Sequence, residues 1–99
     1  MIRYEIKQLA RENLHEIAIF IGQENPDRAE GFIGELLEKI SWIANNPNLY
    51  RPRFEWDRNF RIAHHGRYYI LYYINDEVVE ILRVVHSSRD LEAVLDDLF

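Results

Sequence analysis

Residues 68–90 read Tyr68-Tyr69-Ile70-Leu71-Tyr72-Tyr73-Ile74-Asn75-Asp76-Glu77-Val78-Val79-Glu80-Ile81-Leu82-Arg83-Val84-Val85-His86-Ser87-Ser88-Arg89-Asp90. No other stretch of the chain constrains the architecture as strongly. Tyr68 to Ile74 is an aromatic and β-branched run with high strand preference. Asn75-Asp76 is a two-residue turn of a kind that tolerates positive φ, and Glu77 to Val85 then returns antiparallel to the first run. The pair is apolar on nearly every position, so both faces of the hairpin must be covered. Upstream, Phe60 to His64 reads as a further strand joined to it by His65-Gly66-Arg67, which gives a three-stranded antiparallel meander.

Working outward, the N-terminal half supplies a cover. Ile2 to Lys7 alternates apolar and polar residues, the period of a half-buried strand. Residues 10–24 change to helical spacing, with Leu14, Ile17, Ala18 and Ile21 forming a stripe. Asn25-Pro26-Asp27 is a helix start: Asn25 caps free N–H groups, Pro26 suits the first helical position, and Asp27 favours the positive helix end. The helix that follows carries Ala29, Phe32, Ile33, Leu36, Leu37, Ile40, Ile43 and Ala44 on one face and ends at Asn45-Asn46-Pro47. These two helices form a hairpin able to cover one face of the sheet. The second face is left to a short C-terminal helix built on Leu91, Val94, Leu95, Leu98 and Phe99, to a partner, or to both. The expected fold class is α+β: an N-terminal strand, a helical hairpin, the meander and a short last helix.

The chain has 99 residues, which suits one domain over 1–99 and a modest core. Apolar residues make up 47% and charged residues 29%, outside the range of disordered chains. There are no cysteines, which removes disulfides, thiolate catalysis and cysteine-bound metal from consideration. No apolar run nears the roughly 18 to 20 residues that span a bilayer, and the start lacks the pattern of a signal peptide, so a cytoplasmic location is expected. The net charge of -5 is uneven: residues 49–67 hold five basic and two acidic groups. An acidic total argues against strong autonomous nucleic-acid binding and leaves a local contact over Arg51 to Arg67 open.

The joining residues carry a family likeness. Glu24-Asn25-Pro26 before a helix with Ala29 and Phe32, then Asn46-Pro47, Phe60-Arg61, Tyr69 to Tyr73, and Ile81 to His86 with Arg89-Asp90 together resemble the ParE/RelE toxin superfamily of type II toxin–antitoxin systems, closer to the ParE branch. The likeness runs over nearly the whole chain. It implies a cognate antitoxin in a hetero-oligomer and one of two targets. One branch of the superfamily is similar to poisons of DNA gyrase, the other to endonucleases that cut messenger RNA on the ribosome. A third possibility is a decayed, harmless antitoxin-binding protein. The antitoxin contact is expected to lean on apolar burial and on the Arg51 to Arg67 segment, since the chain is itself acidic.

Cutting RNA through a 2′-OH needs cations for the phosphorane-like charge and an acid/base pair. If the chain is such a nuclease, its residues are Arg61, Arg83 and His86. Against that, Tyr68, Tyr69, Tyr72 and Tyr73 bring no cation to the central strand, and the last helix has neither Tyr nor His. Arg61 and Arg83 could stand on neighbouring strands and grip one phosphate or carboxylate. Equally, Arg83 could be half-buried and paired with Glu80 or a C-terminal carboxylate. His86 to Asp90 could do acid/base work, or His86 could end the strand while Ser87 or Ser88 caps the last helix and Arg89-Asp90 ties the loop to the sheet. The gyrase-poison branch resembles this chain in its His-x-x-Arg-Asp, here His86, Arg89 and Asp90, as part of a binding surface.

Arg51, Arg53, Phe54, Trp56 and Arg58 interleave aromatic and basic residues in an irregular connection, a composition that interfaces concentrate. The alternative for this connection is simple packing over the sheet edge. As a surface, its residues join Arg61, Arg83, His86, Arg89 and Asp90 as candidates for contact with a target or partner. Trp42, at the edge of the long helix's stripe, reads as core. His64 and His65 are adjacent on a strand, face opposite sides and cannot share a metal ion. No metal and no cofactor are expected.

Overall fold

The structure is a computed structural model that describes residues 3–99. Strand β1 (Arg3–Ile6) leads into helices α1 (Gln8–Gly22) and α2 (Pro26–Asn45), then β2 (Phe60–His65), β3 (Tyr68–Asn75), β4 (Val78–His86) and α3 (Leu91–Asp96). This is the expected α+β succession of strand, helical hairpin, meander and short last helix. Ile2, read as part of the first strand, lies outside the described residues.

The sheet order is β1-β4-β3-β2. The meander is antiparallel throughout, whereas β1 runs parallel to β4, Arg3 opposite Val78 and Ile6 opposite Ile81. The chain therefore crosses the whole sheet between β1 and β2, and the two helices are that crossing. α1 starts and stops two residues earlier than its spacing predicts. In α2, the Asn25 side chain accepts from the Arg28 N–H at 3.0 Å, and Pro26 occupies the first turn. Leu37, expected in its stripe, is exposed instead.

Both hairpin turns use left-handed backbone. Gly66 has φ of 57° between paired His65 and Tyr68. A Cβ there would also stand 3.7 Å from the Phe32 ring. The β3–β4 turn falls one residue later than the sequence predicts: Asn75 is still paired with Val78, and Asp76 takes φ of 53°. Asp is among the few residues that accept that conformation cheaply.

β3 and β4 slip register once. Leu71 opposes Arg83 while Tyr72 opposes Ile81, so Leu82 is an extra residue in β4. Such a bulge breaks the alternation of sides. Ile81 and Val84 accordingly share the helical-hairpin face with Ile70, Tyr72 and Val79, whereas Leu82 and Val85 join the other face.

The two faces are covered unequally. Ala10, Ile17, Phe32, Leu36, Ile40 and Ile43 from α1 and α2 bury the first. The second is buried by Val94 and Leu95 of α3 against Phe60, Leu71 and Val85, with Trp56, Leu91 and Leu98 at the margin. Trp42 is not a core residue: it is 42% exposed, its ring flanked by the Lys39 ammonium at 4.3 Å and the edge of Tyr50. Its place at the end of the helix stripe leaves it beside the sheet edge rather than over it. Among the described residues, no helix is long and apolar enough to cross a membrane.

Candidate functional site

Arg61 and Arg83 do not converge. They stand on β2 and β4, with β3 between them, so the neighbouring-strand arrangement is ruled out by the strand order. Arg61 Nη1 donates to the Pro47 carbonyl at 2.9 Å and to Asn48 Oδ1 at 2.7 Å. The buried Tyr72 hydroxyl donates to the same carbonyl at 2.8 Å, and burial pushes this phenol up to about 12. Arg61 is thus a staple that holds the exit of α2 against the sheet.

Arg83 is half-buried, and its partner is neither Glu80 nor a C-terminal carboxylate. Its Nε donates at 2.8 Å to Asn13 Oδ1 on α1, and the same oxygen accepts the Val84 N–H at 3.1 Å. β1 ends opposite Ile81, so beyond it β4 has no strand on that side, and Asn13 supplies the acceptor for the Val84 N–H. One amide oxygen therefore ties α1 to both the β4 backbone and the arginine.

The exit of β4 is ordered by local hydrogen bonds. The Ser87 N–H donates to the Arg67 carbonyl at 2.7 Å, tying the loop to the neighbouring hairpin. His86 Nδ1 accepts the Ser88 N–H at 3.0 Å, with Ser88 Oγ 2.8 Å from the same nitrogen. A neutral ring in that arrangement carries its proton on Nε2. The ring meets Tyr68 edge-on at 5.2 Å. The cap of α3 is Asp90, not Ser87 or Ser88: its carboxylate accepts from the Glu92 and Ala93 N–H groups at 3.1 and 3.4 Å. Asp90 is thereby a structural residue, while the Arg89 side chain remains exposed.

The basic connection divides in two. Trp56 packs edge-on against Phe60 at 6.3 Å and carries the Arg53 guanidinium over its ring at 5.3 Å. Arg53 also pairs with Glu55 at 2.8 Å, which holds the Glu55 carboxyl below its ordinary range. These residues lid the second face of the sheet. Phe54, at 71% exposure, with Arg51 and Arg58, faces solvent. His64 and His65 take separate partners, Tyr50 for the first and Glu35 at 3.0 Å for the second. Hydrogen bonds from His65 and then Arg28 hold the Glu35 carboxyl below the usual carboxylate value.

What the structure does bring together is a cleft of about 170 Å³ between the end of α1 and the ends of β3 and β4. Ile17, Val84 and Val85 line it with apolar surface, and Asn13, Glu16, Tyr68, His86 and Arg89 supply the polar groups. Phe20, 70% exposed, stands at its side. Of the sequence candidates only His86 and Arg89 belong to it. Phe20, Tyr68 and Asn13 are absent from the sequence-based set. Phe20 had a signal, since it is an aromatic residue lying off the stripe of Leu14, Ile17, Ala18 and Ile21. Asn13 had none, because its role depends on a stretch of β4 that β1 leaves open, 71 residues away in the chain.

A family model described as the ParE toxin of the type II toxin–antitoxin system, parDE, matches residues 4–91. The chain belongs to the ParE toxin family. The ParE-branch likeness of its hairpin and of His86 to Asp90 agrees with that membership. Among solved structures, a chain of the chromosomal ParDE system from P. aeruginosa superposes with a TM-score of 0.71 at 15% identity, covering 87% of this chain and 96% of that one. A chain of the RelBE2 toxin–antitoxin complex from Mycobacterium tuberculosis superposes at 0.65 with 25% identity, covering 86% and 96%. The ParE-like fold is thus shared with chains bearing both family names. No curated protein matches the sequence.

Proposed function

We propose that this ParE-family chain is a toxin that inhibits DNA gyrase without catalysing a reaction, acts in the cytoplasm, and is neutralised by a cognate antitoxin bound in a hetero-oligomer. The solved ParDE and RelBE2 systems supply the precedent for the antitoxin. The observation that carries the choice of target is the separation and engagement of Arg61 and Arg83. An RNA-cleaving site needs free cations converging on one phosphate. Here one guanidinium is bound to Pro47 and Asn48 and the other to Asn13. His86 directs Nδ1 to Ser88, so the ring serves a loop before it serves a proton transfer.

What remains on the surface suits contact with a protein: Arg89, His86, Phe20, and separately Phe54 with Arg51 and Arg58. A supercoiling assay with purified gyrase and increasing amounts of the chain tests the reading. Inhibition, or trapped cleavage complexes, relieved by the antitoxin is the expected result. Undisturbed supercoiling at saturation, together with primer-extension stops inside translated codons, would sink the gyrase target and install the endonuclease in its place. Normal growth on verified expression of the chain alone would identify the decayed form.

A further inference from the structure

We propose that the open edge of β2 is where two copies of this chain meet, β2 pairing antiparallel with β2 about a two-fold axis at Ala63 and joining two four-stranded sheets into one. β2 is an outer strand, with β3 on one side and no strand on the other. Asn59, just ahead of it, accepts the Ile74 N–H from β3 at 3.0 Å. By alternation, Arg61, Ala63 and His65 turn their backbone groups to β3, and Phe60, Ile62 and His64 turn theirs outward. The Phe60 groups are already occupied: the carbonyl accepts the Arg53 N–H at 2.8 Å, and the N–H donates to the Asp57 carbonyl at 3.2 Å. Among the described residues, no hydrogen bond reaches the outward N–H and C=O groups of Ile62 and His64. Exposed aromatic surface flanks this stretch, since His64 meets the Tyr50 ring edge-on and Tyr50 meets Trp42.

The two outer strands of the sheet are unlike. β1 carries Arg3 and Glu5 with Lys7 just beyond, and Lys7 is paired with Glu5; such charges keep an edge from adding a strand. β2 reads Phe60-Arg61-Ile62-Ala63-His64-His65, with no lysine, proline or bulge, and its one arginine is held by Pro47 and Asn48. In one register, with Ile62 of each copy opposite His64 of the other, four backbone hydrogen bonds form between the copies. Every open group is then used, and the Phe60 groups are left alone. The next register on one side calls on Phe60, and the next on the other runs into the turn at Gly66. Those four bonds also select the occupant. A disordered segment has to be ordered residue by residue, which four backbone bonds do not offset. β2 of a second copy is a strand beforehand and meets the edge without that cost.

The test follows the full chain by sedimentation equilibrium and by amide hydrogen exchange, each as a function of concentration. A contact of this size is small, and a Kd of about 100 µM is expected. At about 1 mM, where about four-fifths of the chain is then paired, exchange at Ile62 and His64 should be about fivefold slower than in dilute solution. His64→Pro removes only an outward N–H, which an edge strand tolerates, and should weaken pairing about tenfold, with a thermal melt to verify folding. A chain that stays monomeric to about 1 mM overturns the proposal. So does a dimer in which the Ile62 and His64 amides exchange as fast as in dilute solution, or one of unchanged affinity in folded His64→Pro. Protection of these two amides by the purified antitoxin, and not by concentration, gives the edge to the antitoxin and overturns the proposal as well. The gyrase assay bears on none of these outcomes.

Discussion

The two faces of the sheet are built to different standards. Helices of 15 and 20 residues cover one face, with Leu36, Ile40 and Ile43 fully buried between them and the strands. A helix of six residues and the Trp56 turn cover the other, where Phe60, Leu71, Val85, Val94 and Leu95 form a much smaller cluster. Long elements hold a core residue from several directions, so a gap there cannot close without moving a whole helix. A single helical turn can shift into a gap. The first face therefore fixes the fold, and the second is the place where structure yields with little consequence for the rest.

Leucine-to-alanine changes on the two faces measure this directly, since Leu36 and Leu95 are both fully buried. Leu36→Ala should cost about 4 kcal/mol, near the top of the range for such truncations, and Leu95→Ala about 2.5 kcal/mol because α3 relaxes. Chemical denaturation reports both values, and equal losses would break the contrast. Asn13→Ala is expected to cost about 2 kcal/mol by stranding the Val84 N–H and the Arg83 guanidinium beneath α1. Hydrogen exchange at Val84 should rise in that variant; protection unchanged there would mean that the open side of β4 is held by something other than Asn13. Asp90→Ala should remove about 1 kcal/mol, the usual worth of an N-cap, and act on α3 alone.

The smallest effect is on pH. The Glu35 carboxyl is held low by His65 and Arg28. A carboxyl lowered on folding stabilises the native state above its ordinary value and loses that contribution as pH falls through the lowered one. Melting followed from neutral pH down through the carboxylate range should therefore be slightly less acid-sensitive in Glu35→Gln than in the parent chain. An identical acid profile would show that the contact of α2 with the β2–β3 turn rests on Phe32 and Gly66 instead.

Elements were readable from the sequence wherever the signal was local. Asn25-Pro26 set the start of α2, the tyrosine-rich run marked β3, and leucine spacing placed α3. Signals that depend on two distant segments were not readable. Nothing in residues 81–86 states that Leu82 is an extra residue, so the sides taken by Arg83 and Val84 follow only once Tyr72 is seen opposite Ile81. The same applies to the site. His86 and Arg89 are legible because they sit together in the chain, and both reach the cleft. Arg61 and Arg83 are both basic strand residues, but the strand order parts them. Phe20 is not legible as a site residue because exposure belongs to the folded surface, and a helical wheel gives it only as a residue out of line.

The parallel pairing of β1 with β4 also has a consequence for synthesis. Within the sheet, as far as the described residues go, β1 pairs only with β4: the Arg3 N–H donates to the Glu77 carbonyl and the Lys7 N–H to the Ile81 carbonyl, and Asn13 waits likewise for Val84. A chain emerging from the ribosome can assemble its helical hairpin early but has no place for β1 until β4 has been made. The cleft, built from α1 and the end of β4, cannot form before β4 does. The surface bearing Phe20, His86 and Arg89 is thus missing from a nascent chain that already holds both of its long helices.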